Sequence, residues 1–225
     1  MFVKYFYFLI LFFSPFVVLA SNDTICLGPK KASHFAIYLH GMDSVVPSIQ
    51  ELQNRETLEK IANKLNLRIA IPRATNRCLQ QPNLLCWGWD ENTSLKTLNA
   101  LKDIPRSAEQ CFSNKSYGLI GFSNGGFLIN KIVQFCVKNS YEWLISVGAA
   151  GSWSNQDPAD LSKCSSLSMI IGKKDSYNYN AAKTYASRLR ELNAQIKLVE
   201  FNGEHIIPYR EMSSTLNHIF SKKRF

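Results

Sequence analysis

Gly121-Phe122-Ser123-Asn124-Gly125 sets a serine between two glycines, with a β-rich run before it and a helical run after it. A serine hydroxyl is a weak nucleophile until a base takes its proton. On a tight strand-to-helix turn it projects above the sheet, and only very small residues fit two places to either side. Gly121 and Gly125 meet that demand, and Gly126 adds room. The helix start then offers the Asn124 N–H and a positive dipole end to a developing oxyanion. The chemistry implied is acyl transfer through a covalent intermediate. The alternative is a glycine-rich turn with a purely structural role.

The base must be one of four histidines. His34 precedes the first strand and His218 lies in the last helix, positions suited to surface or packing roles. His40 ends the first strand. His205 follows the last strand, in the loop Phe201–Pro208, and comes after the serine in the chain. A third group must hold the imidazole tautomer and stabilise its cation. Asp175 follows the run Leu167–Ile171 through Gly172-Lys173-Lys174, which gives the chain order Ser123, Asp175, His205. Glu204, Asp157 and Asp160 are its rivals, and Glu204 adjoins the histidine, so its side chain points elsewhere. His40-Gly41-Met42-Asp43 is a strand-ending turn whose Met42 N–H is the expected second oxyanion donor.

Such residues need a scaffold that brings distant segments to one edge. Phe35–Leu39, Arg68–Ile71, Tyr117–Ile120, Trp143–Val147, Leu167–Ile171 and Ile196–Phe201 are short β-rich runs. Ser48–Leu65, Gly125–Val137, Asn180–Leu192 and Ile207–Phe220 have helical spacing, and Leu95–Cys111 can form a helix broken near Pro105. In Ser48–Leu65 the apolar set is Ile49, Leu52, Leu58, Ile61, Ala62 and Leu65. The alternation predicts an α/β fold: a mostly parallel sheet of about six strands, with helices on both faces. In such sheets ligands bind beyond the carboxyl ends of the strands, where all the candidates above fall. Arg73–Asn92 shows no period and reads as a long irregular loop at that same end.

The chain has 225 residues, 46% hydrophobic and 19% charged, which suits one globular domain. Residues 1–20 carry Lys4 and then an almost unbroken apolar run to Val18-Leu19-Ala20. This is the pattern of a signal segment cleaved before Ser21, leaving a single domain over 21–225. An uncleaved anchor is the rival, although Ser14-Pro15 interrupts the run. All six cysteines lie beyond it, so disulfides in a secreted or periplasmic protein are expected. Composition leaves their pairing open, and Cys78 and Cys86 are close enough for a local bridge. The net charge of +9 allows weak attraction to anionic surfaces, and no nucleic-acid motif is present. Asn22, Asn92 and Asn114 each begin an N-x-[ST] triplet.

Together these residues resemble the α/β-hydrolase superfamily over Phe35–Phe220. Tyr38-Leu39-His40-Gly41-Met42-Asp43-Ser44 is similar to the oxyanion stretch of small carboxylesterases and acyl-protein thioesterases. Gly121–Gly126 is similar to their nucleophile elbow. Cys86-Trp87-Gly88-Trp89-Asp90 resembles a feature of secreted polyhydroxybutyrate depolymerase-like and feruloyl-esterase-like enzymes. The resemblance implies a serine esterase acting on a small-molecule or polymer-attached ester, with catalytic Ser123, Asp175 and His205 and oxyanion donors Met42 and Asn124. It implies no metal and no organic cofactor. His40, Gly41, Trp87 and Trp89 are expected to border the substrate pocket. The short segment Gly148–Ser166 suggests an open cleft with no large lid. The same triad serves thioesters and peptides, and an inactive binding protein of this fold is the remaining alternative.

Overall fold

Aliphatic and β-branched runs bounded by turn residues form the frame of the molecule. The computed structural model describes residues 24–79, 81–87, 101, 104, 106–113, 116–137, 141–151 and 160–222. The expected signal segment 1–20, Trp89, Asp157 and most of the expected helix Leu95–Cys111 lie outside them.

Strands β1 (Ile25–Leu27), β2 (His34–Leu39), β4 (Leu67–Ile71), β7 (Tyr117–Phe122), β8 (Tyr141–Val147), β9 (Leu167–Gly172) and β10 (Ile196–Phe201) form one seven-stranded sheet. Its order is β1-β4-β2-β7-β8-β9-β10. Only β1 runs antiparallel, pairing Cys26 with Ala70 at the edge. The expectation of a mostly parallel sheet of about six strands thus holds, with one correction: the sheet has a seventh strand. The added strand, Ile25–Leu27, is three residues long, too short to show a period. The Cys26–Cys111 disulfide ties this edge to the segment before β7.

A second correction concerns Arg73–Asn92. It is not irregular throughout, because β3 (Asp43–Ser44), β5 (Asn76–Arg77) and β6 (Leu84–Cys86) form a small antiparallel sheet of order β3-β6-β5. The Cys78–Cys86 disulfide closes the β5–β6 hairpin, with Cα atoms 5.2 Å apart. The third disulfide joins Cys136 to Cys164.

Among the described residues the helices packed on the sheet include α1 (Ile49–Leu65), α2 (Asn124–Gln134), α3 (Tyr179–Glu191) and α4 (Tyr209–Ser221). The crossovers place α2 and α3 on one face, where Leu128, Ile129, Ala182 and Tyr185 are buried. They place α1 and α4 on the other, with Leu58, Ile61, Met212 and Leu216. Each such aliphatic side chain contributes about 1.5–3 kcal/mol by leaving water. Ser48 caps α1, its hydroxyl accepting the Glu51 N–H at 3.2 Å, and Asn66 ends that helix in the left-handed region.

The first turns of α1 depart from their apolar spacing. Helical periodicity normally turns Ile49 and Leu52 inward. Here they are 76% and 53% exposed, while Glu51 and Asn54 are buried at 3% and 2%. Among the described residues no helix is long and apolar enough to cross a membrane.

Candidate active site

Ser123 stands between the last residue of β7 and the first of α2, with φ 50° and ψ −114°. A non-glycine residue rarely adopts positive φ, and the surroundings must impose it. The turn is imposed from both sides. Ser123 N–H donates to the Val147 carbonyl at 2.9 Å, and Gly125 N–H donates to the His40 carbonyl at 3.1 Å. The flanking glycines are sterically required. A β-carbon on Gly121 would lie 2.3 Å from the Gly125 carbonyl oxygen, and one on Gly125 2.1 Å from the Leu39 carbonyl oxygen. The short strand-to-helix turn therefore has room for the serine side chain in one direction, outward, where Ser123 is half-buried.

His205 and Asp175 come from the loops after β10 and β9. His205 Nδ1 lies 2.6 Å from Asp175 Oδ2. The carboxylate is buried and the imidazole is 28% exposed. Asp175 is held in place by the Asn178 N–H on Oδ1 at 3.1 Å. The two loops are joined by Lys173 N–H to the Phe201 carbonyl (2.8 Å) and Lys174 N–H to the Gly203 carbonyl (2.9 Å). Of the rival acids, Glu204 is exposed and Asp160 binds Ser162 and Asn193 instead.

The segments that hold the imidazole and the serine touch each other. Val147, which accepts the Ser123 N–H, is followed by Gly148 at φ 60°. A β-carbon there would lie 2.9 Å from His205 Nδ1 and Cε1. The Phe122 ring, adjacent to Ser123, packs on the His205 ring with centroids 4.7 Å apart. So the loops after β7, β8, β9 and β10 converge on one spot.

The turn after β2 completes the cluster. A β-carbon on Gly41 would lie 3.2 Å from Ser123 Cβ, so Gly41 admits the backbone close to the serine. The Met42 side chain points to solvent. Among the described residues neither the Met42 N–H nor the Asn124 N–H has a protein partner. The Asn124 side chain is committed elsewhere, its Oδ1 accepting the Trp87 N–H at 2.8 Å.

Two of the residues expected to border a pocket, His40 and Trp87, are buried and hold the turn after β2. His40 Nδ1 bonds the Gly41 carbonyl at 2.6 Å, and Nε2 accepts the Ala74 N–H at 3.1 Å. That pattern places the ring proton on Nδ1. Burial lowers the His40 pKa and keeps the ring neutral. Trp87 is likewise buried, and its indole N–H donates to the His40 carbonyl at 2.9 Å. Both side chains brace the turn from within, because each has found a backbone partner there.

Four features were not evident from the sequence. Phe122 packs on the imidazole, Gly148 makes room for it, and Gln50 and Asn54 bind the loop that carries it. The one available signal was the pair of polar residues a helical turn apart on α1. His34 stacks on Phe220, a packing role. His218 lines a cavity of about 460 Å³ with Trp143, Ser168 and Lys197, beside the amino ends of β8–β10 and away from Ser123. Among the described residues no group of three His, Cys, Asp or Glu side chains is placed to hold a metal ion.

This architecture is the α/β-hydrolase fold. The structure is similar to a carboxylesterase from Bacillus cereus, with a TM-score of 0.63 at 16% identity, covering 88% of this chain and 93% of that one. It is similar to acyl-protein thioesterase 2 from Zea mays, with a TM-score of 0.65 at 14% identity and coverages of 88% and 97%. A carboxylesterase from Mesorhizobium loti gives 0.65 at 15% identity, with coverages of 88% and 93%. No family model matches the sequence, and no curated protein sequence matches it.

Proposed function

We propose that this chain is an exported serine hydrolase of carboxylic esters, with its signal segment removed before Ser21. The observation that carries the reading is the strained backbone of Ser123, next to Phe122, whose ring packs on an imidazole that is itself paired with a buried carboxylate. Strain of this kind costs about 1–3 kcal/mol and persists where a site requires it.

In this reading Asp175 accepts a hydrogen bond from the Nδ1–H of His205, which keeps the proton on Nδ1 and leaves Nε2 free to act as base. His205 takes the Ser123 proton as the oxygen attacks the acyl carbon. The Met42 and Asn124 N–H groups stabilise the resulting oxyanion, with the α2 dipole behind Asn124. Collapse expels the alcohol, which receives the proton from His205, and the acyl group remains on Ser123. Water then attacks with His205 again as base, releasing the acid and restoring the serine. Export is supported by the apolar start of the chain and by the three disulfides.

Thioesters are the second reading, because a solved neighbour of this fold is an acyl-protein thioesterase. The test is hydrolysis of chromogenic esters of graded chain length by the oxidised mature protein, with Ser123→Ala alongside. Turnover that vanishes in the variant is expected. Failure to turn over any ester, with no fluorophosphonate labelling of Ser123, refutes the reading. Labelling without ester turnover moves the assignment to thioesters.

A further inference from the structure

His205 has the longest reach of the site residues. It follows β10, the edge strand, whereas Ser123 follows β7, and β8 and β9 lie between. At about 4.8 Å per strand, the ends of β10 and β7 are roughly 14 Å apart, and the loop spans much of that gap to bring the imidazole against Gly148 and Phe122. The bonds of Lys173 and Lys174 hold the start of that loop to its neighbour. Its far end is held from the other side of the site, by α1.

Gln50 Nε2 donates to the His205 carbonyl at 2.6 Å. Asn54 Oδ1 accepts the Ile207 N–H at 3.2 Å, in a buried contact. Gln50 and Asn54 are one helical turn apart and so project from the same side of α1. They grip the backbone on both sides of Ile206, using a carbonyl and an N–H much as a paired strand would. The same helix start holds the turn after β2, because Ser48 N–H donates to Asp43 Oδ1 at 2.9 Å. Glu51 fixes the helix to β2, accepting from the Tyr38 hydroxyl at 2.9 Å and from Arg55 Nε at 2.7 Å.

This arrangement runs against stability. Large aliphatic side chains face water on the first turns of α1 while Glu51 and Asn54 are buried, the reverse of what burial favours. Such local reversals concentrate where a site requires them. We propose that Gln50 and Asn54 are positioning residues that set His205 against Ser123, with α1 as the common frame for the base and the oxyanion turn. This inference rests on the roles of Ser123 and His205 proposed above.

The test compares Gln50→Glu, which keeps the size and removes the donor, with Gln50→Lys, which restores a donor. Asn54→Ala removes the acceptor, and Gln53→Glu makes the same charge change at an exposed position of α1. Gln50→Glu and Asn54→Ala are each expected to lower kcat by about tenfold with KM within about twofold. Gln50→Lys recovers most of that loss, and Gln53→Glu behaves as the parent. Because Asn54 is buried, its variant is read beside its melting curve, and exposed Gln50 carries the decision. A Gln50→Glu enzyme no slower than Gln53→Glu overturns the inference, as does an equal loss in Gln50→Glu and Gln50→Lys.

A second readout does not need turnover. The proton between His205 Nδ1 and Asp175 gives a downfield proton resonance in the parent, and it is expected to broaden or vanish in Gln50→Glu. If the parent neither hydrolyses esters nor reacts with a fluorophosphonate, the hydrolase reading fails. The resonance still decides the clamp, and an unchanged signal in both Gln50→Glu and Asn54→Ala refutes it.

Discussion

Replacing Gly148 with alanine tests whether His205 is as tightly placed as its contacts imply. Gly148 sits at φ 60°, and its missing β-carbon would lie 2.9 Å from Nδ1 and Cε1 of the ring. Carbon atoms rest about 3.5–4.0 Å apart, so the ring must retreat by about 0.6 Å or more. It cannot do so freely. Asp175 holds Nδ1 at 2.6 Å and the Phe122 ring packs against it. A misplacement of about 1 Å costs about 100-fold in rate, so a shift of this size predicts a loss of kcat of about 10-fold or more. The left-handed backbone adds about 1–2 kcal/mol of destabilisation for a residue with a β-carbon. Gly28→Ala separates the two effects. Gly28 is also left-handed, at φ 77°, and its β-carbon would meet the Leu67 carbonyl oxygen at the amino end of β4, far from Ser123. It should destabilise the fold yet leave kcat of the folded protein intact. Steady-state kinetics and thermal melts on both variants decide the matter. A Gly148→Ala enzyme with kcat within about twofold of the parent would refute the reasoning.

Further outcomes follow from the same contacts. Asp175→Asn leaves a well-folded protein whose imidazole holds the wrong tautomer, and kcat should fall by about 10⁴-fold; a fall under tenfold in steady-state assays means another group orients His205. His40 is buried and its pKa is lowered by that burial. The unfolded chain then takes up a proton near pH 6.5 that the folded one refuses, so this contribution is complete above that pH and is lost as pH falls, by up to about 1.4 kcal/mol per unit. Urea midpoints of parent and His40→Gln should converge between pH 7 and pH 5, and parallel curves would exclude this role. The Cys26–Cys111 disulfide spans 85 residues, and loop-closure entropy gives it about 4–5 kcal/mol. Cys26→Ala with Cys111→Ala should therefore melt well below the parent, and equal melting temperatures would show that the bridge adds nothing.

The meeting of the candidate residues was largely legible because each follows an apolar run. Ser123, Asp175, His205 and Met42 each lie just beyond a strand whose β-rich residues announce it. A parallel sheet gathers such ends at one edge, so the order of runs was enough to suggest the meeting. Elements of two or three residues were not legible. β1, β3, β5 and β6 are too short to carry a period, and they exist through pairing with partners elsewhere. The bonding of His40 and Trp87 was not legible for a related reason. Their types suit a pocket wall, but their bonds to the Gly41, Ala74 and His40 backbone exist only in the folded arrangement.

The buried face of α1 departs from its apolar spacing for a more informative reason. Periodicity reports which side of a helix is apolar, and it assumes that the core takes that side. Beyond Leu58 the assumption holds, since Leu58, Ile61 and Ala62 are fully buried. In the first turns the helix meets two loops as well as Tyr38 of β2. Loops present unpaired carbonyls and N–H groups, which require polar partners when buried. Gln50 and Asn54 supply them to the His205–Ile207 segment, and Ile49 and Leu52 are left facing outward. The change along α1 from an apolar buried face to a polar one therefore marks where the helix starts holding loops through hydrogen bonds. Its signature in the sequence is a pair of polar residues one turn apart, here Gln50 and Asn54, ahead of an apolar face that begins at Leu58.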